Sequence, residues 1–194
     1  MSDRLHAGAV PGPAALLRAA SSRLLIVDVQ QRLVPAIHDG ERIVDACAWL
    51  VGVAQQLSVP VAATEQYPRG LGPTVERLRA LLPPRAVGSK TAFSCAEGGC
   101  LDGLPGTGRG QVVIAGIEAH VCVLQSALGL AAAGHEVFVV ADAVGSRDPA
   151  NRSLALERLR QAGVGVVSRE MVAFEWLHEA GDDRFRDVSR NFLR

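Results

Sequence analysis

Apolar residues gather in short unbroken blocks: "RLLIVDV" (23–29), "VPVAATE" (59–65), "QVVIAGI" (111–117), "EVFVVADAV" (136–144) and "VGVVS" (164–168). Blocks of this length without alternation fit parallel strands covered on both faces. A further short strand is expected around "RAVGSK" (85–90). Between the blocks the period changes. In "DGERIVDACAWLVGVAQQLS" (39–58) apolar residues fall at Ile43, Val44, Ala46, Cys47, Leu50, Val51, Ala54 and Leu57, one face of a helix. "GPTVERLRALLP" (72–83) reads as a short helix, and another is expected from about Cys122 to Ala133 with Gly134 as its C′ residue. A third has Asp148 as N-cap, Pro149 at N1 and Gly163 at its end, and "EMVAFEWLHEAG" begins the closing helices.

Strands alternating with helices predict an α/β fold: one doubly wound, Rossmann-like domain with a six-stranded parallel sheet and helices on both faces. The domain is expected over residues 21–194, behind a flexible N-terminal arm over 1–20 that contains "GAVPGPA". At 48% apolar and 21% charged residues, the composition is that of an ordinary globular chain. Twenty basic and twenty acidic residues cancel, which gives no electrostatic reason to expect nucleic acid or an anionic membrane as partner. No apolar run reaches a membrane span, and the start lacks a secretory pattern, so a cytoplasmic protein is expected. Cys47, Cys95, Cys100 and Cys122 form no zinc-type spacing and read as free thiols.

Ligands of doubly wound sheets bind beyond the carboxyl ends of the strands. Three reactive residues fall there: Asp28 after the first strand, Lys90 after the third, Cys122 after the fourth. The first and fourth strands are neighbours in this topology, so a carboxylate, an ammonium and a thiol border one crevice. A thiol at a helix N-terminus near a lysine is expected to have a lowered pKa. An adjacent carboxylate would serve as its base. Taken singly, each residue also has a plainer role: a buried Cys, an N-cap Asp, a solvated Lys.

"LLIVDVQ", "SKTAF" and "GIEAHVCV" together resemble the isochorismatase-like cysteine hydrolases, nearest their isochorismatase-domain-containing branch. The likeness runs colinearly over about residues 22–190, through "TEQYPRGLGPT", "VVADAVGSR" and "SREMVAFEWL". It implies Cys122 as nucleophile, Asp28 as base and Lys90 as its partner. It also implies a non-proline cis peptide at Ile117–Glu118, an oxyanion hole from the backbone N–H groups of Glu118 and Cys122, and a homo-oligomer, dimer or larger. Nicotinamidases of this superfamily carry a histidine-containing metal cluster after the second strand. "TEQYPRGLG" has no histidine, so neither metal nor cofactor is expected.

Further candidates surround the trio. Gln30 orients Asp28 or substrate, or is a structural hydrogen bond; Glu65 and Gln66 contact substrate or are solvated. Tyr67 and Phe93 wall a pocket or pack in the core, and His120 lines the pocket entrance. "GLPGTGRGQ" (103–111) precedes a strand instead of opening a helix, so it reads as a surface turn and not a phosphate loop. The expected function is a metal-independent cysteine hydrolase that cleaves a C–N bond of a small amide- or ureido-type molecule through a thioester. The alternatives are an idle binding or assembly module of the same fold, and an isochorismatase-type vinyl ether hydrolase using Asp28 without the thiol.

Overall fold

The computed structural model describes residues 16–193. Six strands, β1 (Ser22–Val27), β2 (Val61–Gln66), β3 (Val87–Lys90), β4 (Gln111–Ile117), β5 (Glu136–Gly145) and β6 (Gly165–Val167), form one sheet in the order β3-β2-β1-β4-β5-β6. Every neighbouring pair is parallel. The chain winds outward from β1 to β3, returns to the middle at β4 and winds the other way. The order therefore reverses between β1 and β4, where doubly wound sheets hold their ligands.

Alternate residues of β1 face opposite layers. Leu24 and Ile26 pack with Leu50 of α1 (Gly40–Gln56) and Trp176 of α6 (Arg169–Leu177). Leu25 and Val27 pack with Ala127 of α4 (Leu124–Ala132) and Leu159 of α5 (Pro149–Gln161). These side chains are buried in both layers, so each wholly buried leucine or isoleucine contributes about 1.5–3 kcal/mol. α7 (Asp183–Phe192) closes the α1 side, where Phe192 meets Trp49 edge to face with ring centroids 5.9 Å apart.

Local chemistry explains several boundaries. The Asp148 carboxylate accepts from the Ala150 amide at 2.8 Å, Pro149 fills the first position of α5, and Gly163 turns the chain out with φ 81°. β4 occupies the residues expected of it. β1 stops earlier than its apolar run: Asp28 has φ 53°, a left-handed conformation that swings its side chain out of the strand's alternation. The helix expected over 72–83 shrinks to α3 (Glu76–Arg79), with an unforeseen turn of helix at α2 (Pro68–Leu71). Prolines 73, 83 and 84 bound the shorter helix, and Pro68 opens the new one.

Of the arm expected over 1–20, residues 1–15 lie outside the described residues. Leu17 is buried and its amide donates to Glu175 Oε2 at 2.8 Å, while the Arg18 amide donates to Gln111 Oε1 at 2.8 Å. Among the described residues no helix is long and apolar enough to cross a membrane.

Candidate active site

At the reversal point β4 lies against β1, Gly116 opposite Val27. A side chain at Gly116 would meet the Val27 carbonyl oxygen at 2.2 Å, and the residue has φ 121°. Only glycine suits that contact. Immediately beyond it the two strands deliver Asp28 from one side and the Ile117–Cys122 segment from the other.

Asp28 is fully buried, and two donors hold its carboxylate. Thr64 Oγ1 donates to Oδ1 at 2.7 Å, and Lys90 Nζ donates to Oδ2 at 2.6 Å. Lys90 also donates to Gln66 Oε1 at 2.7 Å and to the Phe93 carbonyl at 3.1 Å. An ammonium has three N–H groups. All are used, so Lys90 acts as a fixed positive charge with no donor left for a substrate. Its side chain is 2% exposed and the aspartate's 0%, a fully desolvated pair whose geometry every neighbour helps to fix.

The Cys122 thiol lies near this pair, and both charges act on it. Its pKa is pushed up to about 12, by burial first, then by the Asp28 carboxylate; Lys90 opposes this only in part. That corrects the lowered pKa expected from a helix N-terminus. The residue sits within a wide π-type turn, Ala119–Val123, ahead of α4, and not at the head of the helix itself. The carboxylate spends the lysine's charge before it reaches the sulfur. At neutral pH the thiol is therefore protonated.

The Ile117–Glu118 peptide is cis, as the resemblance implies. The Glu118 carboxylate accepts from the Arg147 backbone amide at 3.1 Å and from its Nε at 3.0 Å, tying the segment that carries Cys122 to the chain just beyond β5. His120 Nδ1 lies 3.0 Å from Ser146 Oγ on the same side.

The remaining candidates separate. Gln30 is buried: its amide donates to the Gln66 and Gly72 carbonyls at 3.0 and 2.6 Å, and its oxygen accepts from the Gln66 amide at 2.8 Å. Both of its N–H donors are occupied by the backbone. Gln66 in turn donates to the Thr91 carbonyl at 2.7 Å while accepting from Lys90, so Gln30 and Gln66 act in series to hold the lysine. Glu65 points elsewhere and accepts from Thr74 N and Oγ1 at 2.7 and 2.8 Å. Tyr67 and Phe93 are about half exposed, which removes the core-packing alternative for both. A cavity of about 580 Å³ opens beside Lys90, lined by Tyr67, Arg69, Thr91, Ala92, Glu97 and Cys100 among others; Asp28 and Cys122 are not in its wall. Thr64 and Ser146 went unforeseen. A lone hydroxyl inside the apolar block "VAATE" was the available signal for Thr64. Among the described residues no group of three His, Cys, Asp or Glu side chains is arranged to hold a metal ion.

The Isochorismatase domain family matches residues 22–171 of this chain. Isochorismatase domain-containing protein 2 of Danio rerio is 38% identical over 176 residues, covering 90% of this chain and 88% of that protein. Isochorismatase domain-containing protein 2A of Mus musculus is 38% identical over 171 residues, covering 88% and 82%. Among solved structures, one called MAR1 ribonuclease, from Caenorhabditis elegans, superposes with TM-score 0.86 at 32% identity, covering 93% of each chain. An octameric hydrolase of unknown specificity from Escherichia coli superposes with TM-score 0.82 at 25% identity, covering 93% of this chain and 92% of that one.

Proposed function

We infer the function from one premise: the chain belongs to the isochorismatase family. Its fold is that of an isochorismatase-like hydrolase. The reading we propose is a cysteine hydrolase that cleaves the C–N bond of a small amide or ureido compound, with no metal or cofactor taking part. One observation carries it: a thiol set against a buried carboxylate–ammonium pair, Asp28 Oδ2 to Lys90 Nζ at 2.6 Å, where the strand order reverses.

The raised thiol pKa makes the first step concerted. Cys122 Sγ bonds to the substrate carbonyl carbon as the thiol proton passes to Asp28. The C=O electron pair moves onto oxygen, which takes hydrogen bonds from the backbone N–H groups of Glu118 and Cys122. When the adduct collapses the C–N bond breaks, and Asp28 gives its proton to the departing nitrogen. A thioester remains. Water then attacks its carbonyl, losing a proton to Asp28, and the second collapse expels the sulfur, which recovers that proton. Lys90 balances the carboxylate's charge whenever Asp28 is ionised, held by Gln66 and, through it, Gln30.

Cys122→Ala tests this reading against a panel of small amides and ureides. Loss of all panel hydrolysis with an unchanged circular dichroism spectrum supports it, and wild-type turnover by the variant ends it. The name of the C. elegans neighbour raises a second reading, cleavage of RNA. The balanced charge of this chain, 20 basic against 20 acidic residues, lacks the basic footprint such a substrate selects. A purified chain that cuts a labelled RNA oligonucleotide, and loses this on Cys122→Ala, would replace amides with RNA as substrate. Assembly into a homo-oligomer belongs to the same proposal, supported by the octameric E. coli neighbour. Sedimentation at micromolar concentration tests it, and a clean monomer refutes it.

A further inference from the structure

A second charged group lies on the α4–α5 face, at the opposite end of β1 from Asp28. Arg23 follows the first residue of β1 and is 3% exposed. Its Nε is cut off from solvent and has no hydrogen-bond partner. Among the described residues no carboxylate lies within ion-pair distance of its guanidinium. Arginine keeps its proton in proteins and is almost never buried without a partner. A buried donor without an acceptor calls for an explanation such as an ion.

The surroundings are shaped around this side chain. The glycine-rich segment 103–110 folds back over it. A Cβ at Gly106 would stand 2.7 Å from the Arg23 Cβ and 3.0 Å from that of Pro60. Glycine lets the loop lie directly on the arginine stem. Beside the guanidinium is a cavity of about 190 Å³, walled by Arg23, Cys95, Thr107, Gly108, Ala133 and His135 among others, with Asp102 also in its wall. Asp102 forms no ion pair with the guanidinium and is exposed. The Thr107 hydroxyl donates toward the Leu101 and Leu104 carbonyls, at 3.0 and 2.7 Å, and Arg23 Nε makes no hydrogen bond to it.

We propose that Arg23 and the cavity beneath the 103–110 loop form a binding site for a small oxyanion, phosphate or carboxylate, separate from the cysteine site. The planar fork of a guanidinium matches two oxygens of such a group. The volume lies below the roughly 300 Å³ at which pockets take drug-sized molecules, which suits a free ion or the terminal group of a larger ligand. The sequence motif read as a surface turn thus acquires a role through its backbone and through what it covers, without the strand-to-helix geometry of a phosphate loop.

The test is thermal unfolding of the full chain at fixed ionic strength in chloride, acetate or inorganic phosphate. At about a hundredfold excess over Kd, a bound anion raises Tm by roughly 5–10 °C. A rise with phosphate alone identifies a phosphate-type ligand, a rise with acetate alone a carboxylate, and either supports the proposal. Arg23→Met should abolish the rise and unfold no earlier than wild type in chloride, because it removes a charge that lacks a partner. Ala133→Leu, at an exposed position in the cavity wall, should abolish it with Arg23 in place, which covers the case of an Arg23→Met chain that does not fold. Equal Tm in all three salts, or an oxyanion-specific rise that survives both substitutions, overturns the proposal.

Discussion

Asp28→Asn separates two properties that a standing thiolate would couple, the reactivity of Cys122 and its use in catalysis. The substitution keeps the shape of the side chain and removes the charge. In the native site burial and the Asp28 carboxylate together hold the thiol at about 12, with Lys90 acting the other way. Two unit charges about 4 Å apart at an effective dielectric of about 20 interact by about 4 kcal/mol, equivalent to roughly three powers of ten in ionisation. Burial remains in the variant, so we expect a 100- to 1000-fold easier ionisation, which brings the thiol from about 12 to about 9–10. The Cys122 thiolate then takes the carboxylate's place beside the Lys90 ammonium. A less basic sulfur is also a weaker nucleophile, with a Brønsted slope of about 0.4–0.5. The net expectation is a roughly 10- to 50-fold faster alkylation of Cys122 by iodoacetamide at about pH 8. Hydrolysis should move the opposite way, falling by about 100- to 10,000-fold as the base is lost. The assay is the pH profile of labelling at the Cys122 peptide by mass spectrometry, beside substrate turnover, with circular dichroism as a check on folding. Unchanged or slower labelling, or hydrolysis at the wild-type rate, would refute the reasoning.

Cys122→Ala should leave the fold intact and reduce turnover to background in the amide and ureide panel. Gln66→Ala deprives the buried ammonium of one of its three acceptors, and leaving a buried donor unpaired costs about 1–3 kcal/mol. We expect a lower kcat with KM nearly unchanged, and a rescue of neither property by added substrate. Gly116→Ala forces a Cβ to 2.2 Å from the Val27 carbonyl at a positive φ, so urea titration should give a loss of about 2 kcal/mol or more. Cys47, pushed up to about 12 by complete burial, is a stability term with a defined sign. Its folded pKa lies above the ordinary thiol value of 9.0, so its contribution is whole below pH 9 and declines as pH rises toward 12. Cys122, at about 12, and Cys100, at about 11, act in the same direction. Stability should fall across that alkaline window and not near neutrality, and Cys47→Ala should make the fall shallower in a Tm-against-pH series.

What the sequence made legible was whatever a local rule controls. The apolar block 111–117 became β4 residue for residue, because a strand buried on both faces needs little beyond continuity. Asp148, Pro149 and Gly163 marked α5 because capping is settled within one turn. The meeting of Asp28 and Lys90 followed from one topological rule about strand ends. Features that depend on distant neighbours were hidden. The direction of the Cys122 pKa depends on how the Asp28 and Lys90 charges divide between each other and the sulfur, and the helix-dipole argument left the carboxylate out. The π-type turn of 119–123 carries no spacing of its own. Arg23 stands at the head of the block "RLLIVDV" with nothing local to single it out, and only the loop folded over it makes its isolation visible.

The most direct measurement of the central claim is the mass of the chain, acid-quenched during incubation with the amide and ureide panel, followed by peptide mapping. The account predicts an acyl increment on the peptide containing Cys122, absent from Cys122→Ser. Steady hydrolysis with no increment on Cys122 at any quench time, together with full activity in the serine variant, would contradict it.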